Sequence, residues 1–188
     1  MQARARAAEE TRVRILEATL SLSRERFYDE ITLQEIAGIA GVSLQTVIRR
    51  FGSKEGLLRA VGEYVTPAIE AMRVAVPPGD IDGVVRALIP HYEQDGDATT
   101  RLLAVEDRIP AVKEALRYGK EFHRGWIVRT FAGALPEPDA PDYPRRLALL
   151  VAATDVTTWK LLRRDQGLSE AETARAMREM LERLTRSD

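Results

Sequence analysis

The stretch of sequence that decides the fold is residues 33–51, which read LQEIAGIAGVSLQTVIRRF. It predicts two short helices joined by a three-residue turn that contains glycine, which is the helix-turn-helix layout. Ala37 is small enough to let the two helices approach each other, and Gly41 suits the positive φ that the turn requires. Branched apolar side chains fill the angle between the helices (Ile36, Val42 and Val47). An ordinary αα-corner without a role in DNA binding is the alternative that these residues leave open.

The rest of the chain also has the sequence pattern of helices. Apolar residues recur at spacings of three and four, and no run alternates apolar and polar residues with the period of a strand. Capping-box patterns mark two helix starts, at Thr32-Leu33-Gln34-Glu35 and at Ser169-Glu170-Ala171-Glu172. The sequence therefore predicts an all-α protein of about nine helices.

Particular boundaries follow from proline, glycine and apolar spacing. Pro67 is expected to kink or end the helix that runs from Lys54 to about Ala75. The run Asp95-Gly96-Asp97 is typical of a break between helices. One continuous helix is expected over about 141–166 and another over 169–186, each with an apolar stripe that must be buried.

Composition limits the chemistry that this protein can perform. The 188 residues include two histidines and no cysteine. The lack of cysteine excludes disulfides, cysteine nucleophiles, iron–sulfur clusters and thiolate zinc sites, and two histidines leave little room for a multi-histidine metal centre. The sequence also has no glycine-rich phosphate loop and no recognisable catalytic set. We therefore expect no metal, no cofactor and no enzymatic activity.

The charge is near neutral overall but unevenly distributed. The chain carries 28 basic and 29 acidic side chains, for a net charge of −1. Residues 1–60 hold ten basic and eight acidic side chains, whereas residues 61–188 hold 18 and 21. Residues 44–59 contain four basic side chains and only one acidic side chain, a glutamate. This small basic region predicts modest, salt-sensitive affinity for DNA in general.

Membrane and secretion signals are lacking in the sequence. No stretch approaches the roughly 18 uncharged apolar residues that are needed to span a bilayer. Residues 1–14 are polar and basic, without the apolar region of a secretory signal. We expect a cytoplasmic protein that does not associate with membranes.

The segments that flank the helix-turn-helix carry a resemblance to a known family. An amphipathic helix, about Glu9 to Arg26, precedes it. Residues 41–58, GVSLQTVIRRFGSKEGLL, are similar to a signature of turn, recognition helix, aromatic residue, Ser-Lys-Glu and Leu-Leu. With these motifs the sequence resembles the tetracycline-repressor-like (TetR) family of bacterial transcription regulators, over about residues 9–60.

The resemblance implies a division of the chain into three parts. Residues 1–52 are expected to form the helix-turn-helix DNA-binding domain, in which residues 1–8 are a flexible basic arm. Residues 53–76 are expected to be a connecting helix, and residues 77–188 a helical domain for ligand binding and dimerisation. The implied partners are a palindromic double-stranded DNA operator, a second copy of the chain, and a small, largely apolar effector that releases a repressor from DNA.

A recognition helix over about Leu44–Phe51 fits the major groove, with its N-terminal residues nearest the base edges. There Gln45 is suited to adenine, and Thr46 to thymine or another base edge. Arg49 and Arg50 lie further along, within reach of guanine or phosphate. The expected set of DNA contacts is Thr32, Gln34, Leu44, Gln45, Thr46, Arg49, Arg50 and Lys54.

Several of these positions are assigned through the resemblance. Family members usually carry an aromatic residue in one or two of positions 48–50, and here Ile48 and Arg50 stand instead. Arg50 is therefore the expected replacement for that contact with phosphate. Lys54 stands where family members anchor the DNA backbone. Thr32 is a helix cap, a DNA contact, or both.

An effector pocket would be lined mainly by apolar and aromatic side chains with a few polar groups. Burial in the core is the alternative role for every residue of the proposed set. The expected lining residues are Tyr64, Tyr92, Leu103, Phe122, Trp126, Phe131, Thr158 and Trp159, with Glu106, His123 and Asp155 as polar anchors.

Two other functions stay open at this point. A helical enzyme or small-molecule carrier would show turnover or tight ligand binding and no sequence preference on DNA. A DNA-binding regulator without an effector would have a closed and filled helical domain.

Overall fold

The structure, a computed structural model, describes residues 2–186 and contains no β-strand in that range. Nine α-helices follow one another along this part of the chain, which confirms the predicted all-α class. Their bounds are α1 Gln2–Glu25, α2 Leu33–Ala40, α3 Leu44–Phe51, α4 Lys54–Val74, α5 Ile81–Val105, α6 Pro110–Thr130, α7 Tyr143–Thr154, α8 Val156–Lys160 and α9 Glu170–Thr185. Between them lie 3-10 turns at Tyr28–Glu30 and Ala132–Ala134 and a π-helical turn at Leu161–Asp165.

Two compact units make up the described chain. The first extends to Pro67 and also contains Arg101–Leu116, and the second comprises Ala68–Thr100 and the residues from Arg117 onward. The divisions therefore fall inside α4, α5 and α6. The first unit extends past the expected domain boundary at residue 52, because Leu57 and Val61 of α4 are buried in the same core as the helix-turn-helix.

The core of the first unit joins the first four helices. α1 packs on α2, and α2 packs on α3. Ala37 is fully buried, as expected for the small residue at which the helices approach each other. The buried cluster consists of Ile15, Leu16, Ala18, Ile31, Ile36, Ala37, Ala40, Val47, Leu57 and Val61.

The N-terminal residues are helical, in contrast to the flexible basic arm expected there. α1 begins at Gln2, so the prediction of an arm over residues 1–8 is wrong for residues 2–8, and Met1 lies outside the described residues. Alanine and arginine are strong helix formers. An ion pair one turn apart, between Arg6 Nε and Glu10 Oε1 at 3.1 Å, adds a small stabilisation.

The second unit has an aromatic and aliphatic core, in which α7 packs on α9. Trp126 and Trp159 are its largest fully buried side chains. Met177 and Leu181, from the predicted apolar stripe of α9, are also fully buried within the chain. Within residues 2–186, no helix is both long enough and apolar enough to cross a membrane.

The predicted breaks in α4 and α5 do not end these helices. α4 continues through Pro67 to Val74, and α5 continues through Asp95-Gly96-Asp97 to Val105. Gly96 has a packing role, because a Cβ at this position would lie 2.5 Å from Cζ3 of Trp159. The glycine is therefore explained by the close approach of an indole ring and not by a turn.

The long helix expected over residues 141–166 is interrupted. α7 begins at Tyr143, and Asp155 between α7 and α8 has extended backbone dihedral angles, with φ −74° and ψ 150°. The Asp155 carboxylate accepts the backbone N–H of Thr157 at 2.8 Å. Aspartate favours such local caps over the helix interior, which explains the break.

Candidate nucleic-acid interface

Both ends of α2 have the geometry that the sequence predicts. At the N-terminus, Thr32 Oγ1 accepts the backbone N–H of Glu35 at 3.2 Å, and the Glu35 carboxylate accepts the backbone N–H of Thr32 at 2.8 Å. At the C-terminus, Gly41 has φ 65°, the left-handed conformation that glycine adopts without strain. The cap role of Thr32 is confirmed, and its contact with DNA stays a prediction.

An ion pair fixes the segment that leads into α2. Arg26 Nη1 lies 2.6 Å from Glu35 Oε1, and Arg26 Nη2 donates to the carbonyl oxygen of Glu30 at 2.5 Å. The hydrogen bonds from Arg26 and Thr32 lower the pKa of Glu35 to about 2. The Glu35 carboxylate thus connects the end of α1 to the start of α2.

Helix α3 is capped at its ends, and one of its faces is anchored in the core. Ser43 Oγ accepts the backbone N–H of Thr46 at 3.2 Å, and Gly52, with φ 75°, ends the helix. Val47 is fully buried and holds α3 against the core. This anchor directs the opposite face of α3 to solvent.

The exposed face of α3 carries the predicted base-reading side chains. Gln45, Arg49 and Arg50 are all exposed, and so is Ile48, with 40% of its surface accessible. Gln45 and Arg49 are four residues apart and therefore lie on the same side of the helix. In the described part of the chain, neither Arg49 nor Arg50 has a carboxylate partner. Both guanidinium groups are available to phosphate or guanine.

The other predicted contacts differ in their accessibility. Gln34 is exposed on α2, whereas Leu44 and Thr46 are half-buried. The hydroxyl groups of Thr46 and Ser43 lie 3.0 Å apart, within hydrogen-bonding distance. The Thr46 hydroxyl therefore already has a partner, so its methyl group is the more available part for contact with a base.

Lys54 at the start of α4 is engaged within the protein. Its ammonium group donates a hydrogen bond to the carbonyl oxygen of Tyr28 and lies 4.3 Å from the centroid of the Tyr28 ring. Burial lowers the pKa of Lys54 from 10.5. Lys54 thus connects α4 to the turn before α2, and its predicted contact with the DNA backbone remains untested.

Sequence reasoning missed the role of Gly56, within the Ser-Lys-Glu-Gly motif. A Cβ at this position would collide with the carbonyl oxygen of Phe51 at the end of α3. Gly56 therefore allows the first turn of α4 to pack closely against α3. A glycine in the first turn of a helix, two residues after Lys54, was the sequence signal for this close approach.

Exposed glutamine and arginine side chains on a recognition helix, held over a buried helix-turn-helix core, are the arrangement found in DNA-binding transcriptional regulators. Residues 15–61 match the family described as bacterial regulatory proteins, tetR family. The match confirms the resemblance to TetR regulators in the region that carries α2, α3 and the start of α4. No curated protein matches the chain.

Solved structures share the fold over nearly the whole chain. A transcriptional regulator from Rhodococcus sp. Rha1 has a TM-score of 0.70 at 18% identity and covers 92% of this chain and 95% of its own. Salmonella enterica GusR has a TM-score of 0.67 at 23% identity, and the match covers 93% of this chain and 95% of GusR. A protein described as a transcriptional regulator, from Saccharomonospora viridis and in complex with choline, has a TM-score of 0.64 at 18% identity, with 93% and 96% covered.

The predicted effector-lining residues are divided between the two units. Tyr64, Leu103 and Glu106 belong to the first unit, where Tyr64 packs on the helix-turn-helix core and donates to Glu17 Oε1 at 2.6 Å. The others belong to the second unit: Tyr92, Phe122, His123, Trp126, Phe131, Asp155, Thr158 and Trp159.

Several side chains of the second group form hydrogen bonds within the second unit. Tyr92 donates to the carbonyl oxygen of Thr154 at 2.8 Å, and Trp159 Nε1 donates to Glu93 Oε1 at 2.8 Å. Thr158 donates to the carbonyl oxygen of Ala152 at 2.6 Å. No cluster of metal-binding side chains occurs within residues 2–186.

His123 is buried and uncharged. Its Nε2 lies 3.0 Å from Thr154 Oγ1, which itself donates to the carbonyl oxygen of Leu150, so Nε2 carries the proton. Its Nδ1 then accepts from Arg73 Nη1 at 3.3 Å. Burial, followed by the charge of Arg73, lowers the pKa of His123 to about 4. The burial of Arg73 has no signal in the sequence, since one arginine near the end of an amphipathic helix is typical of a solvated side chain.

Proposed function

We propose that this protein is a transcriptional repressor that binds a palindromic operator as a homodimer and releases it when a small molecule occupies the helical domain. The proposed parts are residues 1–52 for DNA, residues 53–76 as the connecting helix, and residues 77–188 for effector and dimer contacts. We expect the protein to act in the cytoplasm, where a bacterial regulator meets its operator, and to catalyse no reaction.

The exposed face of α3 is the observation that carries the proposal. Gln45 at its start and Arg49 and Arg50 one turn later combine a base-reading amide with charges for guanine or phosphate. The buried Val47 fixes the orientation of this face. Base recognition needs such rigid presentation, because a freely rotating helix has no preferred register in the groove.

Homodimer formation is supported by two considerations. One recognition helix contacts few base pairs, and a two-fold dimer doubles the contacts on a palindromic site. Two large apolar side chains of the second unit are also exposed, Leu149 at 40% and Leu161 at 50%. Sedimentation of wild type and the Leu149→Glu/Leu161→Glu double variant tests this. We expect a dimer for wild type and a monomer with weakened operator binding for the variant.

An effector is supported by the choline complex of the Saccharomonospora viridis protein, which shares the fold. A ligand can shift this regulator only if it binds one conformation more tightly than the other. A reporter gene controlled by the operator, measured with and without this protein, tests repression. A compound screen for recovery of reporter expression then tests release.

A regulator without an effector is the second candidate, and one observation favours it. The largest of the proposed lining residues, Trp126 and Trp159, are fully buried in the core of the second unit. Repression that no compound in the screen relieves would favour this candidate over an effector-controlled repressor.

A further inference from the structure

The second unit contains a buried arginine without a carboxylate partner. Arg73, near the C-terminus of α4, is only 6% exposed. Within the described part of the chain it forms no ion pair. Burial lowers the pKa of Arg73 from 12.5, yet a guanidinium group stays charged at neutral pH. A buried charge with no counterion is costly, and such groups are normally paired.

The immediate neighbours of Arg73 are uncharged. Its guanidinium carbon lies 5.2 Å from the ring centroid of Trp126 and 5.8 Å from that of Phe122. Among the described residues, its guanidinium group lies 3.3 Å from Nδ1 of the neutral His123 and also interacts with the uncharged hydroxyl group of Tyr92. These contacts orient the guanidinium group and leave its charge uncompensated.

Arg73, Phe122, His123 and Trp126 form one cluster, and two N–H donors of this cluster lack acceptors within the described residues. Arg73 Nε and Trp126 Nε1 are both buried and have no hydrogen-bond partner among residues 2–186. Each of these groups can only donate a hydrogen bond. A ligand that satisfies them must therefore supply acceptors, and an anion would also supply the missing charge.

The protein's own carboxylates do not fill this role. Tyr92 and, to a smaller extent, the charge of Asp155 raise the pKa of Arg73. The Asp155 carboxylate lies beyond ion-pair distance, and its Oδ1 already accepts from the backbone and the hydroxyl group of Thr157. Arg163, in the same unit, shows the usual arrangement, because its Nε lies 2.9 Å from Glu93 Oε1.

We propose that Arg73 anchors the acidic group of the effector, which is a small aromatic carboxylate. The planar carboxylate matches the fork of the guanidinium group, and the rings of Trp126 and Phe122 suit an apolar, aromatic body. This inference rests on the proposed effector-controlled function and specifies the chemical class of the effector.

Of the two aromatic rings beside Arg73, Phe122 is the one nearer to solvent. This ring is half-buried and stacks with Tyr118, with centroids 6.4 Å apart and ring planes 12° apart. Tyr118 is 49% exposed and donates a hydrogen bond to Glu70, one turn before Arg73 on α4. The stack therefore links Phe122, which lies beside Arg73, to the exposed ring of Tyr118.

The test compares carboxylates with uncharged and cationic analogues on the full chain. Benzoate, phenylacetate and cinnamate are each added beside the matching amide, and benzylammonium is the cationic control. We expect at least one carboxylate to raise the melting temperature of wild type by about 5–10 °C at concentrations about 100-fold above its Kd. The amides and benzylammonium should have no effect. A wild-type protein that responds to none of the three carboxylates would overturn the inference.

Substitutions then separate ligand binding from a structural role. Arg73→Met removes the charge but keeps a long side chain, so it should raise the melting temperature of the free protein and weaken carboxylate binding about ten- to hundredfold. Arg73→Lys should weaken binding less, because it keeps the charge and loses the fork. The control Arg163→Met should lower the melting temperature and leave carboxylate binding unchanged. An Arg73→Met protein that is less stable than wild type, or that binds the carboxylate equally well, would contradict the assignment.

A separate DNA titration distinguishes this inference from the proposed function. Arg73→Met should bind the operator like wild type but should not be released by the carboxylate. Carboxylate binding without operator binding would mean that the proposed function has failed and the anion site stands. Operator binding without a carboxylate response would mean that the DNA-binding function stands and the anion site at Arg73 has failed.

Discussion

Lys54 at the start of α4 and Tyr28 in the turn before α2 are joined by two contacts. The Lys54 ammonium group donates to the Tyr28 carbonyl oxygen and lies 4.3 Å from the centroid of the Tyr28 ring. The residue expected to hold the DNA backbone therefore also stabilises the domain that positions α3.

Lys54→Ala should consequently lower both stability and DNA affinity. We expect a loss of about 1–2 kcal/mol in the free energy of unfolding, because a cation–π contact and a charged hydrogen bond disappear. Urea unfolding measures this. Arg59→Ala, at an exposed position further along α4, is the control and should change stability by less than about 0.5 kcal/mol. Equal stability of the two variants would show that the Tyr28 contacts contribute nothing.

Gln45 and Arg50 should have separable effects on DNA binding. Gln45→Ala should reduce discrimination between the best site and a single-base variant by about five- to 150-fold, because a bidentate amide contact is lost. Arg50→Ala should weaken binding to all sequences and lower the salt slope by about one, as the loss of a phosphate contact does. Titrations at several salt concentrations separate the two outcomes. Identical behaviour of the variants would contradict the assigned roles.

The Glu35–Arg26 pair predicts a defined pH dependence. The pKa of Glu35 falls from 4.5 to about 2 on folding, so the unfolded chain binds more protons in this interval. The stabilisation is therefore fully present above pH 4.5 and is lost as the pH falls towards 2. Glu35→Gln keeps a capping side chain and removes the charge. The free energy of unfolding of Glu35→Gln should lie below that of wild type at pH 7, and this difference should become smaller as the pH falls. A difference that does not depend on pH would contradict the ion-pair role.

Two glycines in helices should respond in opposite ways to alanine. Gly96→Ala should lower the free energy of unfolding by about 1–3 kcal/mol, because the new Cβ would lie 2.5 Å from the buried Trp159 ring. Gly125 in α6 has open space beside it, because no neighbouring atom lies within 4 Å of the place that a Cβ would take. Gly125→Ala should therefore raise stability by about 0.5–1 kcal/mol through better helix propensity. Thermal unfolding of both variants checks the contrast, and a neutral Gly96→Ala would refute the packing role.

Local sequence signals predicted the helix-turn-helix in detail. The Thr32–Glu35 capping box, the left-handed Gly41 and the buried Ala37 and Val47 all appear in the structure. Each depends on residues a few positions apart, so the sequence contains the information directly. The exposure of Gln45 follows from the same spacing, because it lies on the side of α3 opposite to the buried anchor.

Long-range packing explains what the sequence did not reveal. Gly96 resembled a helix break because its partner, Trp159, lies more than 60 residues away in the chain. Arg73 resembled a solvated charge, and its burial depends on Phe122, His123 and Trp126 from α6. Such pairings need the assembled unit, since periodicity within one helix cannot identify the partner of a buried side chain.

Selection of bound sites from a library of random double-stranded DNA is the most direct test of sequence-specific DNA binding. Wild type should enrich one palindromic sequence with two half-sites about one helical turn apart, roughly 10–10.5 base pairs, or a multiple of it. Gln45→Ala should enrich a more degenerate version of that sequence. Recovery of no common sequence by a folded wild-type protein would contradict the assignment as a transcriptional regulator.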